Sequence, residues 1–209
     1  MTLFIPLILV ISAISSAQTV TKKKMGDFVV LEPGNKPDTL NSIVWKHGED
    51  RAAEWYEGDP DVSYYRIFNG GSVLNRSTCS LTINNLDKRF NGAYTAEING
   101  LNPTKSEKLE VLDPVSTVTI SLDRDCDDDE SDNCTLTCKG TGDGPLKYKW
   151  TPSLSSASVV MVPKGEKDTE YACEVSNPVS SQEGKYTMRV KGSQDPGPVA
   201  AAILVPLFL

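Results

Sequence analysis

Cys138, followed by Leu146-Lys-Tyr-Lys-Trp150 and then by Tyr171-Ala-Cys-Glu-Val175, is the stretch on which the fold turns. Both longer runs alternate side-chain character at period two, the mark of half-buried antiparallel strands. Leu146, Tyr148 and Trp150 share one parity, and so do Tyr171, Cys173 and Val175. A tryptophan between two cysteines, with a tyrosine two positions before the second, suits two sheets tied by a disulfide on which the indole packs. Cross-linking positions 35 apart restricts the unfolded chain by about 4 kcal/mol.

These features give an immunoglobulin-type sandwich in the second half of the chain. The short cysteine spacing leaves no room for extra edge strands, so this half reads as constant-like, of C2 type. Working outward, Leu81-Thr-Ile83, Leu109-Glu-Val111, Val118-Thr-Ile120-Ser-Leu122 and Tyr186-Thr-Met188-Arg-Val190 alternate in the same way. Turn residues at Asn69-Gly-Gly71, Asn99-Gly100, Gly142-Asp-Gly-Pro145 and Asn177-Pro178 separate the strands. Asp113-Pro114 is the expected joint, because proline ends a strand and stiffens a connection. The first half repeats the plan without its bridge. Trp45 lies in Ser42-Ile-Val-Trp-Lys46, and Leu81, Ile83, Leu86, Gly92 and Tyr94 lead to a corner tyrosine. Two residues past Tyr94 stands Ala96, and Phe28-Val-Val-Leu31 on the opposite sheet also lacks a cysteine. More residues separate Trp45 from Tyr94 than Trp150 from Tyr171, enough for two additional strands and a variable-like domain. The expectation is therefore all-β: two tandem sandwiches, over residues 18–112 and 113–192.

The ends read differently. An apolar run from Leu3 to Ile11 followed by Ser15-Ser-Ala17 reads as a secretory signal peptide over residues 1–17. Secretion means an oxidising compartment, where cysteines are read first as disulfides. Residues 193–209 finish in the apolar Val199-Ala-Ala-Ala-Ile-Leu-Val-Pro-Leu-Phe-Leu209. Eleven residues fall short of the roughly 20 that cross a bilayer as a helix. The layout suits a glycolipid (GPI) attachment signal with Gly192 and Ser193 as candidate sites. A transmembrane segment cut short and a plain tail are the alternatives.

Composition excludes much. The 209 residues hold 28 acidic and 21 basic side chains, so 21 − 28 gives −7, which disfavours a nucleic-acid partner. Nothing implies a cofactor or a small-molecule substrate. With His47 the one histidine, any serine–histidine or cysteine–histidine mechanism must pass through it. His47 itself reads as a strand-edge residue, and the chain as no enzyme. Seven carboxylates lie between Asp123 and Asp132. Asp128 stands where an EF-hand loop needs glycine and Cys134 where it needs glutamate, leaving a solvated acidic loop and no metal site. Lys22-Lys-Lys24 reads as an exposed start. Asn75-Arg-Ser77 and Asn133-Cys-Thr135 are glycosylation sequons.

A disulfide-free variable-type domain ahead of a short disulfide-bonded one resembles the SLAM family of leukocyte adhesion receptors. The resemblance rests on Ile43-Val-Trp-Lys46, Ala53-Glu-Trp55, Gly71-Ser-Val-Leu-Asn75, Ser80-Leu-Thr-Ile-Asn-Asn-Leu86, Leu112-Asp-Pro-Val115, Asn133-Cys-Thr-Leu-Thr-Cys138 and Tyr171-Ala-Cys-Glu-Val-Ser-Asn-Pro178. It implies a cell-surface ligand or co-receptor that docks on a related receptor, in like or unlike pairs, through the C-C′-F-G sheet of the first domain. That face is expected from Lys46, Glu49, Asp50, Arg51, Glu54, Glu97, Asn99, Lys105, Glu107 and Lys108. A secreted decoy of the same fold is the alternative. The family's second domain holds an additional disulfide. Cys134 matches one end of it, while Gly184 to Val190 contains no cysteine. Cys126 with Cys134 could close a small loop, leaving Cys79 free or pairing between chains.

Overall fold

The structure is a computed structural model that describes residues 19–34, 36–123, 132–164 and 168–189. It divides into two compact units, the first running to Pro114 and the second beginning at Val115. In chain order the strands of the first unit are β1 (Thr19–Lys24), β2 (Val29–Leu31), β3 (Ser42–His47), β4 (Asp50–Tyr56), β5 (Ser63–Tyr64), β6 (Ser72–Leu74), β7 (Leu81–Ile83), β8 (Gly92–Ile98) and β9 (Ser106–Leu112). The second unit holds β10 (Ser116–Leu122), β11 (Asn133–Thr141), β12 (Lys147–Thr151), β13 (Val159–Pro163), β14 (Thr169–Asn177) and β15 (Ser180–Met188).

In the first unit a six-stranded sheet, β1-β9-β8-β3-β4-β5, faces a three-stranded one, β2-β7-β6. Nine strands with two extra members beside β3 make the variable-type sandwich. Ile43 and Trp45 of β3, Tyr94 of β8, and Leu109 and Val111 of β9 meet Leu31, Leu81 and Ile83 in the core between the sheets. Ala96 takes its place opposite Trp45, as Cys173 does opposite Trp150 in the second unit. The buried Trp45 indole donates to the Cys79 carbonyl at 2.9 Å, and the Tyr94 hydroxyl donates to the Phe90 carbonyl at 2.8 Å. His47 is no simple edge residue. Its ring stacks on Tyr94 at 4.7 Å, meets Phe68 edge-on, and lies 2.9 Å from the Asn91 carbonyl. Gly92 makes this possible: at φ +150° it admits no ordinary side chain, and a Cβ there would sit 2.4 Å from His47 Nε2.

One further expectation changes, that for Lys22–Lys24, and Cys79 takes the free-thiol alternative. Lys22-Lys-Lys24 is part of β1, which pairs in parallel with β9 from Thr19↔Glu107 to Lys24↔Leu112. Cys79 is a free thiol with no exposed surface, and burial pushes its pKa up.

The second unit packs β10-β11-β13 against β12-β14-β15. Cys138 and Cys173 are bonded between the sheets, beside the fully buried Trp150. The Trp150 indole donates to the Ala157 carbonyl at 2.9 Å. Cys134 is disulfide-bonded as well. Its expected partner Cys126 lies outside the described residues, as do most of the acidic loop, the signal stretch and the tail with Gly192 and Ser193.

Candidate functional site: the outer face of the six-stranded sheet

Strand alternation sends every second side chain of β3, β4, β8 and β9 away from the core. On β3 these are Val44 and Lys46; on β8, Thr95 and Glu97; on β9, Ser106, Lys108 and Glu110. The register sets Val44 between Glu54 and Glu97, and Lys46 between Arg51 and Thr95. Lys46 Nζ meets Glu97 Oε1 at 2.5 Å, and Arg51 meets Glu54 at 2.6 Å. Val44 is buried despite its outward parity.

Glu54 is the most enclosed of the charged groups on this face, with 12% of its side chain exposed. It takes hydrogen bonds from Arg51, from the Tyr65 hydroxyl, and at 3.5 Å from the Tyr56 hydroxyl. The bond to Glu54 raises the Tyr65 pKa, and that of Arg51 rises through its bond to Tyr65 and the nearby Glu54 charge. Glu54 therefore acts as a scaffold for its neighbours, whereas Lys46, Arg51 and Glu97 keep more of their side chains exposed. Beside them Lys108 pairs with Glu110 at 2.8 Å and holds that carboxyl below its usual range. Lys22 of β1 reaches Glu110 at 3.9 Å.

Of the ten residues expected on this face, Lys46, Arg51, Glu54, Glu97 and Lys108 come together on it. Glu107 does not. It shares the inward parity of Leu109 and Val111, is 8% exposed, and is held by Thr21 at 2.6 Å and Lys105 at 3.0 Å. Adjacent residues of one strand cannot share a face, so Glu107 and Lys108 separate. Asp50 lies opposite His47 and pairs with Arg66 at 2.7 Å. Glu49 is in the exposed β3–β4 turn. Asn99 is spent on structure: its Oδ1 accepts from the Asn41 and Ser42 amides, and its Nδ2 donates to the Thr39 carbonyl. Sequence reading missed Tyr56, Tyr65, Glu110 and Lys22 on or beside the face. Counting by twos from Lys108 finds Glu110 and rejects Glu107. The tyrosines carry no comparable signal. Among the described residues no cluster of histidine, cysteine and carboxylate side chains has metal-binding geometry.

No family model matches the chain. Human CD48 antigen is 25% identical over 197 residues, an alignment that covers 87% of this chain and 79% of that protein. The structure of the CD2-binding domain of CD58, lymphocyte function-associated antigen 3, is similar with a TM-score of 0.63 at 19% identity, over 83% of this chain and 99% of the other. A chain from the complex of the mouse coronavirus receptor-binding domain with its murine receptor also gives 0.63, at 20% identity, over 81% and 94%. The chain thus consists of two immunoglobulin-like sandwiches and is similar in sequence to CD48, an antigen of the SLAM type. The relatives named above are an antigen and proteins of receptor binding, none of them an enzyme.

Proposed function

We propose that the chain is a cell-surface adhesion ligand or co-receptor that docks on a related immunoglobulin-superfamily receptor of an opposing immune cell. The contact is the outer face of the β1-β9-β8-β3-β4-β5 sheet. The observation that carries this is the row Arg51–Glu54 and Lys46–Glu97, opposite charges set across three neighbouring strands. The more exposed Lys46–Glu97 pair adds about 0 to 1 kcal/mol to stability, so folding gives it little purpose. Across an interface such a pattern steers approach and rejects mismatched partners. The sequon at Asn75 follows β6 of the opposite sheet, so a glycan there would grow away from the face. Each contact is weak, and many copies on apposed membranes add avidity. A glycolipid at Gly192 or Ser193 holds the chain to its own membrane, a reading supported by the apolar stretch 199–209.

Charge reversal tests the face. Cells displaying the full chain adhere to leukocytes; cells displaying Glu97→Lys at equal surface density lose most of that adhesion. The double variant Lys46→Glu, Glu97→Lys keeps an internal ion pair but inverts the pattern, and it too fails to adhere. Wild-type adhesion by the double variant would place the contact elsewhere. Release by a phosphatidylinositol-specific phospholipase tests the anchor, and chain found only in the medium would favour the secreted decoy.

A further inference from the structure

Strand β13 is an edge strand that ordinary protein design would guard. It ends the sheet β10-β11-β13, and its sequence Val-Val-Met-Val-Pro contains no charge. Alternation buries Val160 and Val162 and turns Val159, Met161 and Pro163 outward. Met161 is 75% exposed and Val159 45%. Natural sheets blunt such edges with lysine, proline, bulges or a covering element, because an open apolar edge templates pairing with another chain; here Pro163 guards only the end of the strand and leaves Val159 to Val162 open.

The partner strand carries the remedy. In the antiparallel register of β11 and β13, Asn133 lies opposite Pro163, Thr135 opposite Met161, and Thr137 opposite Val159. Opposed residues project from the same face, about 5 Å apart. The exposed Asn133 and its sequon threonine Thr135 thus lie on the same face as the apolar strip, one strand away. Cys134, between them, points into the core with 1% exposure.

We propose that Asn133 carries an N-linked glycan whose core sugars lie over Met161 and Pro163 and keep edge β13 from pairing with a second copy. In forming it, the Asn133 amide nitrogen bonds to the anomeric carbon of a polyprenyl-diphosphate-linked oligosaccharide. The sugar–diphosphate C–O bond breaks, the lipid diphosphate leaves with the electron pair, and the amide gives one proton to solvent. Sugar rings present C–H faces that cover an apolar strip while their hydroxyls stay in water. The glycan therefore hides the strip without creating a new sticky surface.

The test uses the full chain purified from glycosylating cells, with glycosidase treatment in heavy-oxygen water to mark occupied asparagines. Asn133 is found converted to labelled aspartate, and the wild type elutes as monomer. Asn133→Gln shows severalfold more self-association, while Asn75→Gln shows no change. Asn133→Gln combined with Met161→Thr returns to monomer, which separates an uncovered surface from a folding failure. An unoccupied Asn133 overturns the proposal. So does a monomeric Asn133→Gln variant, or self-association that Met161→Thr fails to relieve.

Discussion

The two sandwiches solve one problem in different ways. Each closes two sheets over a tryptophan on strand β3 or β12, and each has a small residue or a cysteine opposite that indole. In the second unit the Cys138–Cys173 bond restricts the unfolded chain. In the first, Ala96 stands in that position and closure rests on the folded state alone. Its core is correspondingly richer: His47, Phe68, Phe90 and Tyr94 form a group of stacked and edge-on rings. Each large side chain fully buried is worth about 1.5 to 3 kcal/mol, so a few additional ones offset a missing cross-link. A disulfide is thus one route to the fold and not a condition of it.

Reduction should break the symmetry most. Replacing Cys138 and Cys173 with alanine removes about 4 kcal/mol from the second unit and nothing from the first. Calorimetry of the full chain would then show one of two transitions move, and proteolysis would map early cuts to residues after Val115. Early cutting before Pro114 would contradict the division of labour. Next in size are the two indoles. Trp45→Phe strands a buried Cys79 carbonyl and should cost about 2 to 3 kcal/mol. Trp150→Phe should cost about 1 kcal/mol less, because water reaches the half-buried Ala157 bond. Equal losses in denaturant melts would remove that distinction. Tyr94→Phe deletes one buried hydrogen bond and should lower first-unit stability by about 1 kcal/mol. Smallest is the surface: the Lys46→Glu, Glu97→Lys swap should move the melting midpoint by no more than about 0.5 kcal/mol of stability while abolishing adhesion.

How much of this was legible depends on period and contact. Trp150, Tyr171 and Cys173 announce their sandwich because one fold requires those residue types at that spacing. The first unit was readable through the same frame with its cysteines missing. Its face was only partly readable. Between Trp45↔Ala53 and Lys46↔Arg51 the register slips by one, leaving Ala52 as an extra buried residue. Strict alternation from Glu54 would turn Arg51 inward; the bulge turns it out beside Lys46. Strand β1 was hidden for another reason. Three consecutive lysines show no alternation, and their strand exists because β9 offers it a parallel partner. Tyr65 reaches Glu54 from beyond β5, a contact that spacing cannot announce.

That parallel partnership has a mechanical consequence. If cells joined through the proposed sheet face pull apart, tension entering there leaves the first unit along β9 at Leu112. Strand β9 is flanked on both sides, by β1 over six register pairs and by β8 over four. Tension along its axis loads those rungs together in shear, where a strand peeled from one end would release them singly. A domain without a covalent bridge can in this way bear a transient pull, with the lysine-rich strand β1 acting as its clasp.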